Sequence, residues 1–156
     1  MKNYGYTSDG EEITESMVEE FYRIAEQEIL PKHEIYMLCD TYCSIDEDSF
    51  QYFNTNTAFG AILSFTLNAT FRFDTDITRY DLFSQDTWAD IETRIIVENN
   101  EIVDIIVDDI IVYHGVDYSD FEKSLKMIIN VESFKETVRK IAEPAIAEMA
   151  CVLSNI

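Results

Sequence analysis

Basic residues are scarce in this chain. Eleven Lys and Arg stand against 31 Asp and Glu among 156 residues, a formal net charge of −20. Such a field repels nucleic acid and anionic membrane and attracts basic partners. With only four glycines there is no phosphate-cradling loop, so nucleotide-dependent catalysis is not expected. The two histidines, His33 and His114, lie far apart and have no motif around them. Three cysteines (Cys39, Cys43, Cys151) are an odd number, which suits reduced thiols in a cytoplasm better than a disulfide framework. No run approaches 18 apolar residues and no basic-plus-apolar segment opens the chain, so neither a membrane span nor a signal peptide is expected. Without secretion, the Asn68-Ala69-Thr70 sequon carries no meaning.

Apolar residues make up 47% and aromatics 13%, too much for a disordered acidic chain. The organising stretch is Phe59–Phe73, where every odd position is apolar: Phe59, Ala61, Leu63, Phe65, Leu67, Ala69, Phe71 and Phe73. The even positions are small or polar, Ile62 excepted. Period-two alternation predicts a strand with one buried face. At about 3.3 Å per residue the run spans roughly 50 Å, long for one strand. Either one strongly bent strand or two strands broken near Asn68 is expected.

Around this strand the chain reads in order. Residues 1–10 form an irregular arm. A helix follows from Thr14 to Leu30, with Thr14 and the Ser16/Glu19 box as competing caps and Pro31 as its stop. Met17, Phe21, Ile24 and Ala25 form its apolar stripe. Ile35–Leu38 reads as a short strand and Asp46-Glu47-Asp48 as an acidic turn, while Tyr42, Phe50, Tyr52 and Phe53 call for burial. Asp74–Asp90 reads as a long connection. Ile91–Glu98 and Ile102–His114 form a hairpin around Asn99-Asn100, residues that tolerate positive φ. A two-residue loop would set Ile95 opposite Asp104, so a three-residue loop (99–101) is favoured. That register puts Ile91, Ile95, Val97, Val103, Ile105 and Val107 on one face. Helices follow from Ser119 to about Ile129 and from Ser133 onward, the second with Phe134, Val138, Ile141, Ala145, Met149 and Val152 at 3–4 spacing and a kink or break at Pro144. The expected fold is α+β: one domain, residues 1–156, a bent antiparallel sheet packed by an N-terminal helix and two C-terminal helices.

Catalytic motifs are missing. Cys39 or Cys43 beside His33 would be an isolated nucleophile–base pairing, and the three together match no zinc-finger spacing. Asp74-x-Asp76 and Asp104-x₃-Asp108-Asp109 offer oxygen ligands, but no calcium-loop pattern surrounds them. No cofactor is expected.

The charge itself is the better clue, and it is unevenly placed. Residues 1–122 hold 27 acidic and 6 basic residues, a balance of −21; residues 123–156 hold 4 and 5, a balance of +1. Same-face carboxylates on a strand lie about 6–7 Å apart, and helical i, i+4 carboxylates about 6 Å. Both compare with successive phosphates along a nucleic-acid strand. In size, acidity and lack of catalytic motif the chain resembles the acidic inhibitors, often phage-encoded, that mimic nucleic acid to block restriction enzymes or CRISPR effectors. It also resembles bacterial immunity proteins that plug a basic nuclease toxin. The resemblance implies a non-enzymatic cytoplasmic inhibitor with a basic protein, a nuclease or other nucleic-acid-binding protein, as partner.

The candidate partner-binding residues are Asp104, Asp108 and Asp109 of the hairpin, Glu92, Glu98 and Glu101 near its turn, and Asp46, Glu47 and Asp48. Ile102, Ile106 and Ile110 on the outer hairpin face would be desolvated anchors. Two rivals remain. One is a curved-sheet enzyme or ligand-binding domain with an Asp or Glu acid–base and a pocket lined by Phe65, Phe71, Phe73, Tyr80 and Trp88. The other is an acidic subunit forming a homodimer through the 91–114 hairpin.

Overall fold

The computed structural model describes residues 3–7, 9–33, 35, 42–54, 60–74, 88–113 and 132–154. They build one antiparallel sheet of β1 (Cys43–Phe53), β2 (Ile62–Asp74), β3 (Trp88–Glu98) and β4 (Glu101–Tyr113), in that spatial order. Two helices, α1 (Glu15–Ile24) and α2 (Glu132–Ser154), share a single buried cluster with one face of the sheet. This is a single α+β domain. Two helices are described and not three: the expected helix from Ser119 to Ile129 lies outside the described residues, as do Tyr36–Leu38 of the expected short strand. Among the described residues no helix is long and apolar enough to cross a membrane.

Thr14, not Ser16, caps α1. Its hydroxyl accepts from Met17 N at 3.3 Å, and Met17 Sδ accepts from Thr14 N at 3.5 Å, so a thioether takes the place usually held by Glu in a capping box. The helix buries Val18, Phe21 and Tyr22, then widens into a π-helical segment (Ala25–Ile29) before a closing turn (Leu30–Lys32). Proline has no N–H and its ring clashes with the carbonyl four residues back. The wide segment just ahead of Pro31 relieves that clash, and the helix runs through Pro31 to Lys32, two residues past its expected end. In α2, Pro144 lies inside an unbroken helix. Both Pro144 and Lys140, whose carbonyl loses its donor, are exposed, so the lost bond falls on the solvent side, where water can replace it without a break in the helix.

The alternating run forms one strand, unbroken at Asn68. Its inward residues Leu63, Phe65, Leu67, Ala69 and Phe71 are at most 3% exposed, each large one contributing about 1.5–3 kcal/mol of burial. Gly60, at φ +96°, leads into it. An added Cβ there would sit 3.4 Å from Ser154 Oγ and 3.5 Å from Ala150 O, so a glycine lets the chain close against α2.

The hairpin corrects the expected register. Asn99 (φ 54°) and Asn100 (φ 66°) form a two-residue turn, with Glu98 opposite Glu101 and Val97 opposite Ile102. The clash of Ile95 with Asp104 is avoided by a bulge: the pairing shifts at Val103, and Ile95 faces Ile105. A second shift at Asp108 returns Ile110 to Ile91. A bulge turns its strand and adds one residue to the count. Val103 is consequently 50% exposed and not on the core face. Ile102 and Ile110 pack against the core and are not on the outer face.

Asp46-Glu47-Asp48 is no turn either. It sits within β1, where the register jumps from Asp46↔Thr66 to Gln51↔Ser64. The ladder bond this bulge would orphan is replaced by Ser49, whose Oγ accepts from Thr66 N at 2.7 Å.

A candidate docking surface on the open sheet face

No helix among the described residues lies over the second face of the sheet. Strand pairing arranges its outward side chains in cross-strand rows. Asp46, Thr66, Ile96 and Asp104 form one row across all four strands. Ser44, Asn68, Arg94 and Ile106 form the next. Beyond them come Thr70, Glu92 and Asp109, then Arg72, Asp90 and Ile111. Strands lie about 4.8 Å apart, so Asp46 and Asp104 mark opposite edges roughly 14 Å from each other.

Two arginines on this face are held by acids of the chain itself. Arg72 donates from Nε to Asp90 Oδ1 at 2.9 Å and from Nη2 to Oδ2 at 3.3 Å. Arg94 Nε donates to Asp108 Oδ2 at 2.7 Å. The bulge that lifts Asp108 out of the ladder brings it within reach of Arg94, so this predicted partner-binding residue is already engaged. Glu92, Glu98, Glu101, Asp104 and Asp109 are exposed, and no basic side chain among the described residues forms an ion pair with them. Two of these acids stand directly opposite others: Glu92 faces Asp109, and Glu98 faces Glu101.

The structure divides the predicted set. Asp46, Glu92, Glu98, Glu101, Asp104, Ile106 and Asp109 belong to one face; Ile102 and Ile110 face the core. Glu47 and Asp48, in the β1 bulge, line a groove of about 660 Å³ with Glu12, Glu15 and Glu19 of the α1 entry. Its apolar walls are Tyr4, Ile13, Val18 and Tyr22. Tyr22 OH donates to Glu47 O at 3.4 Å, and burial, then the Glu47 charge, push its phenol upward. Asp46 is therefore parted from its two neighbours.

Two aromatics expected to be buried are exposed. Phe50 and Tyr52 are inside at 3% and 5%, but Phe53 is 50% exposed and Tyr42 68%. Phe53 stands opposite Ile62 on the open face. Thr70 N donates to Tyr42 O at 3.0 Å, which continues the ladder beyond β1 and sets Tyr42 on the same side. Alternation within Phe50-Gln51-Tyr52-Phe53 was the available signal, since residues 50 and 52 cannot share a face with 53.

The pocket of the rival reading is not formed by its described members: Phe65 and Phe71 are packed in the core at 3% and 1% exposure. Phe73, Tyr80 and Trp88 have side chains outside the described residues. His33 is bonded through Nε2 to Glu148 Oε2, and Lys32 Nζ lies 3.0 Å from Glu148 Oε1. Cys43 is buried and its thiol is pushed up to about 12, by burial first and the Glu26 charge second, the opposite of an activated nucleophile. Cys39 lies outside the described residues. Among the described residues no three His, Cys, Asp or Glu side chains are grouped to hold a metal.

No protein-family model matches the chain, and comparison with curated proteins and with solved structures finds no match.

Proposed function

We propose that this chain is a non-enzymatic acidic binding protein whose open sheet face occupies the basic, nucleic-acid-binding site of another protein. One observation carries the reading: Glu92 against Asp109 and Glu98 against Glu101 are like charges placed directly opposite across β3 and β4. Each such pair destabilises the sheet, on a scale of roughly 0.2–1 kcal/mol for cross-strand pairs. Solubility alone needs a net magnitude of only about 2–8. A Lys or Arg side chain from a partner, entering between two facing carboxylates, turns both repulsions into attraction. Asp104 and Asp46, at the two edges of one row, extend the same field across the face.

Charge of this kind speeds encounter and sets register, so binding is fast and salt-sensitive. The buried, unbridged thiol of Cys43 fits action in a reducing cytoplasm. The homodimer alternative is opposed by β4, whose two bulges and whose Asp104, Asp108 and Asp109 would meet their own copies across the edge.

The test is capture of a DNA-binding nuclease from host lysate on the immobilised chain, followed by washing at about 0.1 M and then 1 M salt, where the Debye length falls from roughly 10 Å to 3 Å. A target that binds at low salt, elutes at high salt and is displaced by duplex DNA is expected. Capture that survives the double variant Asp104→Lys/Asp109→Lys with unchanged salt dependence would refute the proposal.

A further inference from the structure

The open face is not uniformly acidic, and the unlike halves specify the partner further than charge does. On the β3–β4 side stand Glu92, Glu98, Glu101, Asp104 and Asp109. On the β1–β2 side the outward positions between the two ends are mostly small and polar, Ser44, Gln51, Ser64, Thr66, Asn68 and Thr70, with Asp46 among them and Arg72, held by Asp90, beyond Thr70. This half is closed at each end by an aromatic, Tyr42 beside Thr70 and Phe53 beside Ile62. Thr70 and Ile62 are eight residues apart on β2, so the two rings stand about 26 Å apart along the strand. The acids of β4 run parallel to that line about 14 Å away.

Tyr42 and Phe53, at 68% and 50% exposure, leave much of two rings available to a partner on this face. Tyrosine is among the residues enriched at interface hot spots, and phenylalanine among those enriched at interfaces. Ser49, Asn100 and the strand ladders explain the sheet's internal bonds without calling on either ring, and no stacking contact within the chain involves Tyr42 or Phe53 among the described residues. Resting on the reading above, we infer that the partner is a folded basic protein whose Lys/Arg strip is bordered, about 14 Å to one side, by an apolar patch that receives Tyr42 and Phe53. Complementarity of charge fixes the strip over β3–β4, and the patch then falls over β1–β2. A bare polycation satisfies the first half of this face and leaves the second unmet. The aromatic contacts supply affinity that salt does not screen, whereas the acids supply encounter rate and orientation.

Two probes separate these roles: poly-L-lysine, which offers charge without an apolar patch, and the salt-eluted nuclease of the preceding experiment. Titrations with each compare the wild-type chain, Tyr42→Ser/Phe53→Ser and Glu92→Lys/Asp109→Lys at about 0.1 M and 1 M salt. The aromatic double variant is expected to lose at least tenfold in affinity for the nuclease at low salt, with poly-L-lysine binding unchanged. The acid-reversed variant is expected to lose both. Nuclease binding by the aromatic variant within twofold of wild type overturns the inference and leaves the charge reading standing. Failure of the acid reversal to weaken either probe overturns the charge reading itself. Both aromatics are exposed, so thermal melts should match wild type; if the double variant melts early, Phe53→Gln alone, with a threefold loss expected, decides the matter.

Discussion

Asn100 and Leu63 exchange two hydrogen bonds: Asn100 N donates to Leu63 O at 3.0 Å, and Leu63 N donates to Asn100 Oδ1 at 2.7 Å. Asn100 Nδ2 also donates to Ala61 O at 2.6 Å. A turn residue thus acts as one more rung for the start of β2, where the β3 ladder begins only at Phe65. Asn100→Ala removes both side-chain bonds, leaves the Leu63 N–H and Ala61 C=O without them, and forces alanine to φ 66°. A loss of about 2–4 kcal/mol is expected in urea denaturation. Asn100→Gly, which relieves only the backbone angle, should recover roughly 1 kcal/mol of it.

Glu92 and Asp109 make stability and binding move in opposite directions. Glu92→Lys replaces a like-charge pair with an attractive one, so the melting midpoint should rise by the equivalent of about 0.2–1 kcal/mol. Capture of the basic target should weaken in the same variant. A variant that gains neither stability nor a binding defect would remove the main support for the docking face.

Deletion of Val103 should be tolerated. Without it, Glu98↔Glu101 and Val97↔Ile102 lead straight into Ile96↔Asp104 and Ile95↔Ile105, so the buried pairs keep their partners. The change should lie within about 1 kcal/mol of wild type, whereas Ile105→Ala should lose about 2–5 kcal/mol. Removing the bulge also regularises the β4 edge, and concentration-dependent association by light scattering is the expected side effect.

The thiols should separate by reactivity. Cys43 is buried and its pKa is pushed up to about 12, so at pH 8 it remains a protonated, shielded thiol. Cys151 is exposed. Brief iodoacetamide treatment followed by peptide mapping should label Cys151 and spare Cys43 until denaturant is added.

Acid should loosen the contact between the closing turn after α1 and α2. The Glu148 carboxyl is held below its usual range, by the His33 bond first and then by Lys32. A depressed folded-state pKa contributes stability that is present above the unfolded value, about 4.3, and is lost as pH falls through the folded value. Glu148→Gln should therefore be less stable than wild type at pH 6, and the two should converge as the pH falls through the folded-state value. The effect should be small, because the carboxylate is partly exposed and solvent screens it.

Much of the scaffold was legible in the residues. The alternation of Ala61–Phe71, the 3–4 spacing of Val138, Ala145 and Met149, and the positive-φ asparagines each state a local preference that needs no distant partner. The candidate face was legible in its charges, Asp104, Asp109, Glu92, Glu98 and Glu101, but not in its membership. Ile102 and Ile110 moved to the core, Asp108 went to Arg94, and Glu47 and Asp48 turned to the α1 groove. Tyr42 and Phe53, read as core, came to the surface.

What the sequence by itself determined is therefore the set of elements and the inward face of each regular strand, because backbone periodicity is fixed within the element. Bulges belong to pairs of strands. Keeping Ile95 against Ile105 outweighs the ladder bond lost at Val103, and that comparison exists only once β3 and β4 are side by side. Tertiary structure alone decided where the alternation is interrupted, and so which acids and rings share the open face.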